Sequence, residues 1–257
     1  MKKIWFTISF ITVSFVLFAQ EVSPIFTDRP NATDAAALLL VGEFQAEVGF
    51  FSDTDTNNGS TNRSITQPNL SLKYGVLDWL EVRVLTNYLT QVNNVGNGAT
   101  RTSGITPITL SPKFKILERE GFVRNLALTT SFTFPNVGEK AFQNNKLNFG
   151  YRLLMNNRLT DRIDWSHSFG TDWDDNADDS WIYTSSFGFG LTDKLGAFTE
   201  LYTTFDAANN DYYWDGGLTY LILDNLVIDA MVGAGLNNSA SDYFVSVGFG
   251  WKTSFKR

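Results

Sequence analysis

Asp242-Tyr-Phe-Val-Ser-Val-Gly-Phe-Gly-Trp-Lys-Thr-Ser-Phe255 decides the fold of this chain. Tyr243, Val245, Val247, Phe249, Trp251 and Phe255 fall on every second position except Thr253, while Ser246, Gly248, Gly250, Lys252 and Ser254 lie between them. In an extended strand, alternate residues point to opposite faces, so one face here is apolar and aromatic and the other small or polar. That is a strand between lipid and water. Its length slightly exceeds the roughly 9–11 residues that a tilted strand needs to cross a bilayer.

The same pattern recurs upstream. It predicts twelve strands, at roughly 42–51, 64–76, 80–92, 105–116, 125–134, 145–155, 162–171, 181–191, 195–205, 212–222, 226–236 and 242–254. Two kinds of connection alternate between them. Val76-Leu77-Asp78-Trp79-Leu80, Leu159-Thr160-Asp161-Arg162-Ile163, Leu191-Thr192-Asp193-Lys194-Leu195 and Leu223-Asp224-Asn225-Leu226 read as tight turns in which Asp and Asn bond their own backbone. Polar stretches at 52–63, 93–104, 135–144, 172–180, 206–211 and 237–241 read as longer loops. The expectation is an all-β, antiparallel transmembrane barrel of about twelve strands with short periplasmic turns and longer extracellular loops, in the outer membrane of a Gram-negative bacterium.

Parity assigns the faces. Leu80, Val82, Val84, Thr86 and Tyr88 point outward, as do Leu147, Phe149, Tyr151, Leu153 and Met155; Trp181, Tyr183, Phe187, Phe189 and Leu191; and Leu226, Ile228, Ala230, Val232, Ala234 and Leu236. None of these is charged. The opposite parity collects Glu47, Lys73, Glu81, Arg83, Lys113, Lys115, Arg152, Asp164, Glu200, Asp215, Asp229 and Lys252, as expected of a wet lumen. Trp79, Trp165, Trp181, Tyr212, Trp214 and Trp251 fall near strand ends, where aromatic girdles form. A secreted β-sandwich also alternates, but its strands are usually shorter and do not confine charge to one parity over runs near ten residues.

Met1-Lys2-Lys3 followed by the apolar run Ile4–Phe18 and Ala19 reads as a signal peptide over 1–19. Residues 20–41 are then a periplasmic N-terminal segment and 42–257 the barrel. The chain has no cysteine, so neither lipidation of an N-terminal cysteine nor disulfides are available. Its 27 acidic residues against 20 basic argue against nucleic acid as a partner. The expected partners are outer-membrane lipids, the outer-membrane assembly machinery and a small solute, with no cofactor.

Thr27-Asp28-Arg29-Pro30, followed by Asn31-Ala32-Thr33-Asp34-Ala35, resembles the opening of a family of bacterial outer-membrane proteins named for the meta-pathway of phenol degradation. The turns of the form Leu-Thr-Asp-Lys/Arg-Leu/Ile are similar as well. The resemblance implies a transporter. After Pro30 the chain departs from the family pattern of an acidic residue and a Thr-Glu-Ser stretch, and the pathway name is not carried to its substrate.

The functional expectation is a transporter or passive diffusion channel for small solutes, with selectivity set by Lys73, Arg83, Lys113, Lys115, Arg152, Glu47, Glu81, Glu200, Asp215 and Asp229. Asp28 and Arg29 are candidates for a partial plug, with Arg29 pairing to Glu47, Glu81, Glu200 or Asp229 inside the lumen; a loose periplasmic tail is the alternative. Inward Gly188, Gly190, Gly233, Gly235, Gly248 and Gly250 either ease barrel closure or widen a passage. Two other classes stand beside the channel. One is a closed structural or surface-interaction barrel with its charges paired internally. The other is a lipase-type enzyme around the sole histidine, His167, which sits outward beside Ser166 and Ser168; neighbours on a strand face opposite ways, so neither serine pairs with it and no catalytic residue is assigned. Asp53-x-Asp55-x-Asn57 and Asp172-x-Asp174-x-Asn176 lack the glycine and glutamate of a calcium loop and are read as solvated acidic loops, so no metal site is expected.

Overall fold

In the computed structural model the described residues are 23–57, 60–95, 98–174, 179–207 and 209–255. The signal-peptide reading over 1–19, and Asn176 of the second acidic run, lie outside them. Thirteen β segments follow one another: β1 Glu43–Asn57, β2 Ser60–Leu77, β3 Leu80–Val95, β4 Gly98–Ile105, β5 Thr109–Glu118, β6 Val123–Thr133, β7 Asn148–Arg158, β8 Ile163–Trp173, β9 Asp179–Gly190, β10 Leu195–Phe205, β11 Asn210–Leu223, β12 Leu226–Gly235 and β13 Tyr243–Ser254. A single 3-10 turn, Lys140–Phe142, lies between β6 and β7.

All pairings are antiparallel, and β1 pairs with both β2 and β13, which closes the sheet. Both β4 and β5 pair with β3, one beyond the other, from Val95↔Gly98 down to Tyr88↔Ile105 and from Leu85↔Thr109 down to Leu80↔Phe114. They form one wall position interrupted at 106–108, where Pro107 has no N–H to give the ladder. The barrel therefore has twelve wall positions. This corrects the single strand expected at 105–116.

The loops expected at 52–63 and 93–104 are also corrected. Pairing runs on to Asn57↔Ser60 in the first hairpin and to Val95↔Gly98 in the second, so Asp53 and Asp55 lie in strand β1. Beyond the lipid both faces of a hairpin are wet. Ladder hydrogen bonds and β-branched threonines then hold it without any apolar period to read.

The tight turns form where expected, two of them through a different group. The Thr160 and Thr192 hydroxyls accept the backbone N–H of Arg162 and Lys194, both at 3.2 Å, and Thr192 also accepts from Leu195 N at 2.9 Å. In these two turns threonine supplies the bond expected of Asp.

Charge follows parity. Glu47, Lys73, Glu81, Arg83, Lys113, Glu200, Asp215, Asp229 and Lys252 are buried inside, while Leu147, Leu153, Tyr183, Ile228, Val232 and Val247 are exposed outside. Aromatic pairs stack across strands toward both rims: Trp79 on Phe114 and Trp165 on Phe187 at the short-turn end, Phe149 on Trp173 and Phe169 on Trp181 at the long-loop end. Two such belts bracket an apolar outer surface as lipid interfaces do. Val247→Arg, near the middle of β13, is expected to lower the unfolding free energy in lipid vesicles by about 2–4 kcal/mol. The same substitution at Asn94, near the long-loop end of β3, is expected to change it by less than about 1 kcal/mol. Urea titration of the two variants measures the difference.

Candidate functional site

The interior of the barrel is organised around residues 23–42, which carry no regular secondary structure. Such a segment cannot satisfy its own backbone groups, and buried ones need partners. The inward charges supply them. Wall carboxylates accept its N–H groups: Glu47 from Asp28 at 3.2 Å, Glu200 from Ala32 at 2.7 Å and Thr33 at 2.9 Å, Glu81 from Leu39 at 2.8 Å, and Glu43 from Leu40 at 3.0 Å. Wall donors reach its carbonyls: Gln45 to Phe26 at 2.7 Å, Lys113 to Ala35 at 2.8 Å, and Lys252 to Ser23 and Pro24 at 2.6 and 3.0 Å. These partners come from β1, β3, β5, β10 and β13, on opposing walls, so the segment runs through the lumen.

Asp28 is the electrostatic centre. Its carboxylate lies 2.5 Å from Lys73 Nζ, 3.0 Å from Arg83 Nη1 and 3.6 Å from Lys113 Nζ, and it accepts the Ala35 N–H at 2.9 Å. The three cations have further partners: Lys73 meets Glu47 at 2.5 Å, Lys113 meets Glu81 at 3.5 Å and Arg83 meets Asp34 at 3.0 Å. Burial by itself raises the Asp28 carboxyl. The charges of Lys113, Lys73 and Arg83 outweigh it and hold the group well below the ordinary aspartate range. A depressed folded-state value means that the stabilisation is complete above the unfolded aspartate value of about 3.9 and disappears only as pH falls through the lower folded value. Protease protection of the segment is therefore expected to persist at about pH 4 and to fail only under stronger acid, as a digestion series from about pH 5 to about pH 2 measures.

Arg29 selects Asp229 from the four partners expected for it, at 3.2 Å, and donates to Ser246 Oγ at 2.8 Å. Its guanidinium lies over the seam where the first and last strands meet. Gly49 and Gly248 face each other there in register, and a Cβ added to either would run into Arg29. At the same seam Lys252, Glu43 and Ser23 fasten the start of the segment, with Lys252 3.5 Å from Glu43.

The site thus brings together Asp28, Arg29, Glu47, Lys73, Glu81, Arg83, Lys113, Glu200 and Asp229. The other predicted residues fall elsewhere. Lys115 pairs with Glu118 at 2.7 Å at the short-turn end. Arg152, half-buried, pairs with Asp172 at 3.2 Å toward the long-loop end. Asp215 is the register partner of Glu200 and is buried, and neither carboxylate oxygen has a hydrogen-bond donor. Glu43, Gln45, Asp34, Thr33 and Ser246 were not singled out from the sequence. Asp34 and Thr33 lie in the quoted opening, and Gln45 and Ser246 share the inward parity, which was the available signal.

Among the cavities of the lumen, two lie on opposite sides of residues 29–34. The first, of about 300 Å³, opens toward the long loops past Arg83, Arg152 and Asp172. The second, of about 350 Å³, opens toward the short turns past Asp164, Ser186, Gly188 and Phe198. On the outer face His167 lies against Trp165, with ring centroids 4.5 Å apart, while Ser166 and Ser168 bond to Asn156 and Thr184 across the strands. Among the described residues no group of three or more His, Cys, Asp or Glu side chains is placed to hold a metal ion.

A closed twelve-position barrel with an apolar belt and an interior packed around its own N-terminal segment is an outer-membrane-type β-barrel fold. The family described as "Putative MetA-pathway of phenol degradation" matches residues 27–253, and the chain belongs to it. No curated protein matches the chain. Among solved structures, the COG4313 outer membrane channel from Pseudomonas putida F1 is similar with a TM-score of 0.67 and 13% identity, over 87% of this chain and 99% of that one. The KdgM porin in complex with disordered oligogalacturonate gives a TM-score of 0.55 at 11% identity, over 82% of this chain and 99% of that one. The transport unit of the autotransporter AIDA-I from Escherichia coli gives 0.55 at 11%, over 83% and 90%. At these identities the likeness is one of fold.

Proposed function

We propose that this chain is an outer-membrane channel for small solutes whose lumen is throttled by its own N-terminal segment. A signal peptide over 1–19 delivers it, residues 20–41 form the partial plug from the periplasmic side, and 42–257 form the barrel, inserted by the outer-membrane assembly machinery. The observation that carries this reading is the pair of cavities on either side of residues 29–34, inside a wall whose outer face is apolar. Neighbours described as a channel and a porin support it. A second reading, a closed structural barrel, is favoured by the internal pairing of Lys73, Arg83, Lys113, Glu47, Glu81 and Asp229.

That pairing changes which residues set selectivity. Lys73, Arg83 and Lys113 hold the segment, so Arg152, with about 29% of its side chain exposed, is the predicted cation that a solute meets. Arg152→Gln is expected to shift ion selectivity toward cations by about twofold, read from the reversal potential in a planar bilayer under a salt gradient. Unchanged selectivity in a conducting variant would take Arg152 off the solute path. Lys73→Gln, by contrast, is expected to lower barrel stability before it alters selectivity.

A further inference from the structure

Two of the fastenings between the segment and the wall differ in electrostatic character. At Asp28 the negative charge meets three cations. At Glu200 the carboxylate holds the N–H groups of Ala32 and Thr33 and the Thr33 hydroxyl, which also lies 2.7 Å from the Thr184 hydroxyl. The register partner of Glu200 is Asp215, a second buried carboxylate without a donor, and among the described residues neither acid forms an ion pair. Asn31 adds a bond to Ser186 at 3.2 Å, so residues 31–33 are held by hydrogen bonds without an ion pair, whereas Asp34 pairs with Arg83 at 3.0 Å and Ala35 is tied to Asp28 at 2.9 Å and to Lys113 at 2.8 Å.

Residues 31–33 separate the two cavities, which share Arg29, Pro30, Asn31 and Asp34 as a common boundary. Beyond the turn the wall offers room. A Cβ added to Gly188 would meet nothing within 4 Å, whereas one at Gly49 would meet the Arg29 guanidinium. Among the inward glycines, Gly49 and Gly248 seat Arg29, Gly233 and Gly235 lie against Phe244 and Ala240, and Gly188 fronts open space.

Resting on the channel reading, we propose that residues 31–33 are the gate of the solute route: they swing away from Glu200 and Thr184 while Asp28 and Asp34 stay anchored, and join the two cavities along β8–β10. The inner half of that route is lined by Ser166, Ser186, bare backbone at Gly188 and the Phe198 ring, a surface suited to small polar solutes that carry an apolar face.

The absence of native cysteine makes the test direct. In a Thr33→Cys/Thr184→Cys variant the new thiols replace hydroxyls 2.7 Å apart, within reach of a disulfide. The reduced, refolded full-length barrel sets the reference conductance. Oxidised, it is expected to lose conductance by about tenfold or more and to regain it with reductant. A separate Gly188→Cys variant is expected to conduct until a bulky methanethiosulfonate reagent modifies it, and then to fall severalfold. Where the pair does not cross-link or the double variant does not fold, the Gly188 arm decides alone. Cross-linked protein that conducts undiminished overturns the gate, and a modified Gly188→Cys protein that conducts undiminished overturns the route. A folded wild-type protein that never conducts removes the channel reading and the gate with it.

Discussion

Asp28→Asn is expected to free the N-terminal segment from the lumen. The side chain keeps its shape and an acceptor for the Ala35 N–H, but it loses the charge that holds Lys73, Arg83 and Lys113 together. Glu47, Asp34 and Glu81 remain beside those cations, so each keeps one partner while the interior gains net positive charge. Removing one member of a buried ion cluster typically costs about 3–5 kcal/mol, because the remaining charges stay desolvated. Here the segment has an alternative to enduring that loss: it leaves, and water enters the lumen. Two readouts follow. The unfolding free energy in vesicles falls, and a nonspecific protease cleaves near residues 25–35, which wild type protects. A variant as stable and as protected as wild type would mean that the cluster around Asp28 does not hold the segment.

The second large effect is a coupling. Gly49→Ala places a methyl group where the Arg29 guanidinium lies, with all three of the nearest atoms belonging to that group. Arg29 must move, and Asp229 then stays buried without its cation. A loss of about 2–4 kcal/mol is expected. Arg29→Ala removes the same ion pair and is expected to destabilise to a similar degree. In that background the space at Gly49 is empty, and Gly→Ala in a strand interior is expected to be neutral or stabilising by about 0.5–1 kcal/mol. The double variant should therefore cost no more than Arg29→Ala alone, a coupling of about 2–3 kcal/mol. Additive losses would show that Gly49 serves strand bending and not the seating of Arg29.

The sequence reveals the wall more fully than its contents, for physical reasons. Lipid on one side and polar groups on the other impose a period of two on every membrane-crossing strand, so the charges sort cleanly and the closing strand Tyr243–Ser254 reads directly. The period vanishes where both faces are wet, which is why the hairpins reaching Asn57 and Val95 looked like loops. The Thr27–Pro30 motif pointed to Asp28 and Arg29, and parity supplied the carboxylates that they and the segment backbone meet. What parity cannot tell is whether an inward charge faces water or a peptide group. Glu200 and Glu81 were read as pore-lining residues, and they accept backbone N–H groups of the segment. Gly49 escaped notice for a similar reason. A glycine that leaves room for a guanidinium has the same sequence signature as one that eases a bend, and only the position of Arg29 separates the two.

The central claim, a lumen that conducts and is throttled by the N-terminal segment, is tested most directly by single-channel conductance in planar bilayers. The refolded mature protein would be compared with its Asp28→Asn variant, each shown by heat-modifiable migration to be a folded barrel. Discrete small steps in wild type that become larger in the variant are the predicted result. Folded protein that stays silent in both forms would contradict the claim and leave the barrel a structural one.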